Sequence, residues 1–139
     1  MANTIKLRII TPQKIVLEEE VLGVSVPSYN GEITILPHHT SLFALLVEGI
    51  VKMKKSNKED YLAIGGGYLE TDGDFVNLLV SKAYGQDEID EKMTAEAVEK
   101  ARGILKESKN EKERQQANAV IRRSLIDSRL IKKRKARNL

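Results

Sequence analysis

The sequence predicts a β + α protein: an N-terminal flattened antiparallel β-sandwich or barrel of about ten short strands, followed by a C-terminal antiparallel two-helix hairpin. Two observations carry this. The apolar residues alternate with a period of two in the first half and recur three to five residues apart in the second, and the change falls near Gly85. Turn-forming Asn-Gly and Asp-Gly pairs punctuate the first half, whereas after Asp87 there is no Pro and only one Gly, and good helix formers dominate.

In chain order, Thr4-Ile-Lys-Leu-Arg-Ile9, Val24-Ser-Val26 and Glu32-Ile-Thr-Ile35 alternate polar and apolar, as a sheet with one buried face requires. Tyr29-Asn-Gly-Glu32 joins the last two through Asn-Gly, which reaches positive φ cheaply and favours a tight hairpin. Lys55-Ser-Asn-Lys58 separates Ile50–Met53 from Tyr61–Ile64 in the same way, and Thr71-Asp-Gly-Asp74 separates Gly67–Glu70 from Phe75–Val80. A first helix is expected from about Asp90 to Glu107, with Ile89, Met93, Val98, Ala101, Ile104 and Leu105 on one face. Ser108-Lys-Asn110 interrupts it. Asn110, with Glu113 three residues on, reads as a capping box opening a second helix that carries Ala117, Val120, Ile121, Leu125, Leu130 and Ile131. The domain boundary is set at 1–86 for the sandwich and 87–139 for the helices.

Composition limits the function classes. With 41% hydrophobic and 31% charged residues, the chain reads as a soluble globular protein, and its longest apolar run, Leu42–Val47, is far too short to cross a bilayer. Absence of cysteine excludes disulfides, thiolate metal sites and a cysteine nucleophile, and no export or import signal is visible, so a cytoplasmic location is expected. Charge is divided: residues 1–88 carry 8 Lys/Arg against 12 Asp/Glu, a net of −4, and residues 89–139 carry 15 against 8, a net of +7. From Arg114 onward Asp127 is the single acid, so the last stretch should seek an acidic partner.

No catalytic or cofactor constellation emerges. His38 and His39 adjoin Pro37 in a loop, where hydrogen bonding to backbone is the expected role rather than metal binding. Gly65-Gly-Gly67 lacks the spacing and following helix of a dinucleotide loop and reads as a bulge or a close backbone approach. Glu18-Glu-Glu20 alternates faces on a strand, which argues for a solvated edge rather than a cation site. No cofactor and no metal are expected.

Gly31-Glu-Ile-Thr-Ile-Leu-Pro-His-His39 and Ala63-Ile-Gly-Gly-Gly-Tyr-Leu-Glu70 resemble the epsilon subunits of F-type ATP synthases, and Ile10-Thr-Pro12 and Val24-Ser-Val-Pro27 extend the likeness. Ser41 and Tyr68 depart from the family's common Pro and Phe without threatening the fold. The resemblance implies a non-catalytic rotor-stalk subunit at the cytoplasmic face of the cell membrane, peripheral and associated only through the complex. Its sandwich would dock the gamma subunit and the ring of c subunits through the region of Glu32, Leu36, Pro37 and His39. Its hairpin would fold down or extend, with Arg122, Arg123, Arg129, Lys132 and Lys133 meeting acidic loops of the alpha and beta subunits and hindering ATP hydrolysis. Some bacterial members bind nucleotide through Ile-Asp-x-x-Arg-Ala at the helix start; Ile89 and Asp90 match it, but Met93 and Thr94 replace Arg and Ala, so weak or absent ATP binding is expected.

Three rival readings compete with this one. A nucleic-acid module would use the Lys132-Lys-Arg-Lys135 tail, yet interleaved aromatics are missing and the β half is acidic, so no nucleic-acid partner is expected. A carbohydrate-active sandwich would need paired carboxylates at a cleft, which the sequence does not offer. A third keeps the family but makes the hairpin purely structural.

Overall fold

Alternation in the first half yields ten strands: β1 (Ile5–Ile10), β2 (Ile15–Val21), β3 (Gly23–Ser28), β4 (Gly31–Ile35), β5 (Leu42–Leu46), β6 (Gly49–Lys54), β7 (Glu59–Ile64), β8 (Gly67–Thr71), β9 (Phe75–Val80) and β10 (Ala83–Tyr84). This computed structural model describes residues 3–137 of the 139, with side chains through Lys133. The chain divides into two compact units between Tyr84 and Gly85.

In the first unit the strands run in the order β10-β7-β6-β3-β5-β8-β9-β1-β2, with β4 added to β3, and form a nearly closed sandwich. The expected antiparallel pairing holds in all of these ladders but one. β1 runs parallel to β9, with Leu7 opposite Val76 and Ile9 opposite Leu78. That departure follows from topology: β1 is inserted between its sequence neighbour β2 and the distant β9, and a β-bulge between Ile9 and Ile10 adjusts its register to β2. The inward-facing residues Ile5, Leu7, Ile9, Val24, Val26, Ile35, Val51, Met53, Leu69, Val76 and Leu78 are at most 1% exposed and form one aliphatic cluster.

Local chemistry fixes the turns. Gly31 (φ 115°) closes the β3–β4 hairpin, and Gly73 (φ 98°) the β8–β9 hairpin. His38, with φ 67°, gives its backbone N–H to the Gly73 carbonyl at 2.9 Å, which ties the β4–β5 connection to the β8–β9 turn. The glycine run behaves as the sequence indicated. A Cβ at Gly67 would run into the Leu79 carbonyl, so only glycine allows this approach of backbones, and one at Gly65 would meet the Ser81 hydroxyl. Glu18 and Glu19 lie on β2 at the end of the strand order, where Glu18 pairs with Lys6 at 3.0 Å and Glu19 with Lys55 at 2.7 Å.

The second unit begins with a 3-10 turn, Gln86–Glu88, and continues into α1 (Glu91–Glu107) and α2 (Glu111–Arg137). Asp90 is the N-cap of α1 and not its first helical residue, its carboxylate accepting from the Met93 N–H at 3.0 Å. Asn110 caps α2 by accepting from the Glu113 N–H at 3.1 Å, while the Glu113 carboxylate takes the Ser108 hydroxyl at 2.6 Å. Arg114 reaches back to donate to the carbonyls of Leu105, at 2.6 Å, and Ser108, satisfying acceptors that the end of α1 leaves open. The buried apolar side chains among the described residues of this unit are Ala101, Ala117, Ile126 and Leu130.

Candidate functional site

Strands with one face in the core and one in water carry polar residues outward. β5 breaks this rule: Leu42, Ala44 and Leu46 turn inward, yet Phe43 is 62% and Leu45 59% exposed. The ladders show what those side chains join. Leu45 stands opposite Tyr68, Tyr68 opposite Leu79, Leu79 opposite Ile10, and Ile10 opposite Ile15. An apolar row therefore crosses β5, β8, β9, β1 and β2 on the outer face of the sheet, ending in Ile15, which is 49% exposed. Phe43 stacks on Tyr68 from the diagonal position, with ring centroids 5.2 Å apart.

The adjacent row is polar, though Arg8 Nε and Asn77 Oδ1 are buried within it without a hydrogen-bond partner among the described residues. Phe43 faces Glu70, Asn77 donates to Glu70 at 3.2 Å, and Arg8 lies 3.9 Å from Glu18. The hydrogen bond from Lys6, and then its positive charge, holds the Glu18 carboxyl below the usual carboxylate value. Tyr29, exposed at the tip of the β3–β4 hairpin, is fixed beside the apolar row by its N–H bond to the Leu45 carbonyl at 2.9 Å. Large exposed side chains lined up across neighbouring strands, with a polar border, form a surface suited to protein contact.

Of the residues singled out from sequence, Glu32 lies on β4 and is exposed, Leu36 is exposed, and Pro37 and His39 are half-buried in the connection to β5. His39 Nδ1 lies 2.7 Å from the Thr40 carbonyl oxygen. On α2, Arg122, Arg129, Lys132 and Lys133 are exposed and Arg123 is half-buried. Arg122, Arg123 and Lys133 each engage other groups of the protein, which corrects the expectation that the bases of this helix go unanswered. The expectation counted acids along one helix alone, and folding supplies further partners. The side chains at 134–137 of the basic tail lie outside the described residues. Ile89 closes the 3-10 turn, and the Asp90 carboxylate is committed to capping α1. Met93 and Thr94 line a groove between the helices with Arg123 and Asp127. Among the described residues no cluster of three or more His, Cys, Asp or Glu side chains could hold a metal ion, and no helix is long and apolar enough to cross a membrane.

Residues 4–86 match the family described as ATP synthase, Delta/Epsilon chain, beta-sandwich domain. The chain belongs to the ATP synthase epsilon-chain family. It is 39% identical to the ATP synthase epsilon chain of Carboxydothermus hydrogenoformans over 76% of this chain and 78% of that one. Identity to the epsilon chain of Geobacter sulfurreducens is 35%, over 91% and 92% of the two chains. Among solved structures, a chain of the Euglena gracilis mitochondrial ATP synthase, OSCP/F1/c-ring in rotational state 1, superposes with a TM-score of 0.76 at 25% identity, covering 86% of this chain and 76% of that one. A chain of the Tetrahymena thermophila mitochondrial ATP synthase central stalk and c-ring shares the fold at 11% identity, with a TM-score of 0.63 over 90% of this chain and 94% of that one. The apolar row is thus a feature of an epsilon-family sandwich. Its residues escape sequence reasoning because each looks like core; the available signal was apolar residues at both parities of Leu42–Leu46.

Proposed function

We propose that this protein is a non-catalytic subunit of the central rotor stalk of an F-type ATP synthase, held at the cytoplasmic face of the cell membrane through the complex. The β unit docks on the gamma subunit and the c-subunit ring and so couples ion-driven rotation to ATP synthesis. The apolar row through Leu45, Tyr68, Leu79 and Ile10 supports this reading most strongly, because such a row across neighbouring strands gains from being covered. Solved relatives in central-stalk and c-ring assemblies agree with it. Glu32, Leu36, Pro37 and His39 contribute to the docking region for gamma and the c-ring, and the bond between His38 and Gly73 holds the β4–β5 connection in shape.

The helical unit regulates ATP hydrolysis. Its basic residues, Arg122, Arg123, Arg129, Lys132 and Lys133, contact acidic loops of the alpha and beta subunits of the catalytic head, and the net charge of +7 over residues 89–139 supports that pairing.

The docking assignment is tested by purifying the whole synthase from cells carrying Leu45→Asp together with Tyr68→Asp. Both side chains face outward, so the subunit is expected to fold but to be lost from the complex, with gamma recovered without it. Stoichiometric recovery of the variant with gamma would remove this face from the interface.

A further inference from the structure

The chain contains two turns in which an Asn or Asp precedes glycine, Asn30-Gly31 and Asp72-Gly73, and the fold treats them in opposite ways. Asp72 is immobilised: its Oδ1 accepts from the N–H groups of Asp74, at 2.9 Å, and Phe75, at 3.2 Å. Gly73 is buried and pressed against the backbone of His38 and His39. Asn30 has no such restraint. Its backbone N–H points to the Ser28 hydroxyl at 3.3 Å, while its carboxamide makes no hydrogen bond among the described residues. Around Gly31 the space is open, with nothing within 4 Å of where a Cβ would stand. Asn30 is also the chain's single asparagine followed by glycine, the residue that least obstructs the preceding side chain.

We propose that Asn30 is a site of spontaneous covalent modification at the rim of the docking face. The Gly31 amide nitrogen attacks the side-chain carbonyl carbon of Asn30. A nitrogen–carbon bond forms, the bond to the side-chain nitrogen breaks, and the amide proton leaves with that nitrogen as ammonia. Water then opens the cyclic imide at one carbonyl or the other, giving an aspartyl or an isoaspartyl residue, and no oxidation or reduction is involved. Either product places an ionised carboxylate beside Glu32 and next to Tyr29, whose N–H is bonded to Leu45 in the apolar row. The isoaspartyl form also lengthens the main chain by a methylene between two strands in register, Ser28 standing opposite Gly31.

The test uses the full folded chain, held in mildly alkaline buffer at growth temperature and sampled over days by charge separation and peptide mass mapping. Isoaspartate is read by carboxyl methylation with a labelled S-adenosylmethionine donor. An acidic species is expected to accumulate, carrying the amide-to-acid mass change at Asn30 before Asn57 or Asn118 converts, and to be lost in Asn30→Gln. Two results would overturn the proposal. One is an intact Asn30 in the folded chain while the urea-unfolded chain converts it, which would mean that the turn shields the site. The other is conversion at Asn57 as fast as at Asn30, which would leave no selectivity.

Discussion

The two units of this chain solve the same problem with different means. In the β unit, fifteen buried residues from nine strands form a single aliphatic cluster, and most of them are fully excluded from water. In the helical unit the buried apolar set among the described residues is Ala101, Ala117, Ile126 and Leu130, two of them alanines with little side chain to contribute. Burying a Val, Leu or Ile side chain contributes about 1.5–3 kcal/mol, so the cluster supports its own strands, whereas helices in proteins owe most of their stability to a packed apolar face, which is small here. The helical pair compensates with polar bracing at its elbow, where Ser108, Asn110, Glu113 and Arg114 satisfy the helix ends. The two units differ in where the large aliphatic residues were placed.

The contrast is tested most severely by matched deletions. Leu78 and Leu130 are both 0% exposed, one in each unit. Leu78→Ala should lower the stability of the β unit by about 2–5 kcal/mol. Leu130→Ala should reduce helicity, read by far-ultraviolet circular dichroism, and leave the main denaturant transition in place. A shared loss of both signals in either variant would show that the units unfold as one. Next in size comes regulation: replacing Arg122, Arg123 and Arg129 together by Ala should raise ATP hydrolysis by the reassembled synthase about fivefold or more, the range of an ordinary coupling free energy. Unaltered hydrolysis would make the helical pair structural only.

The smallest effect belongs to Lys55, between Glu19 at 2.7 Å and Asp60 at 2.8 Å. Burial pulls the ammonium down, but the hydrogen bonds to Asp60 and Glu19, with their charges, outweigh it and hold Lys55 above its ordinary value. A raised lysine stabilises the fold fully below its unfolded value and loses that contribution as pH rises through the folded one. Lys55→Met should therefore cost about 1 kcal/mol or less at neutral pH, and its stability difference from the parent should shrink only in strongly alkaline buffer. A difference that instead vanished on mild acidification would assign the effect to the carboxylates.

Much of this architecture was legible because local chemistry dictated it. Asn30-Gly31 and Asp72-Gly73 place glycine where φ is positive, and Asp90 and Asn110 announce the helix starts. The parallel ladder of β1 with β9 left no local trace, since either orientation would bury the same alternating residues. Arg114 counted as one more base in the sequence, and its role depends on carbonyls up to nine residues earlier that only the completed turn brings within reach. The outward apolar row was hidden for a related reason: Leu45, Tyr68, Leu79 and Ile10 become neighbours only through the strand order.

The parallel ladder also bears on how the protein is made. Its partners, Ile5–Ile10 and Phe75–Val80, are separated by nearly the whole first unit, and closing so long a loop is slow. On the ribosome, β1 waits with one edge of backbone N–H and C=O groups unpaired until the ninth strand has emerged, and every premature stop before Phe75 releases a fragment with that edge bare.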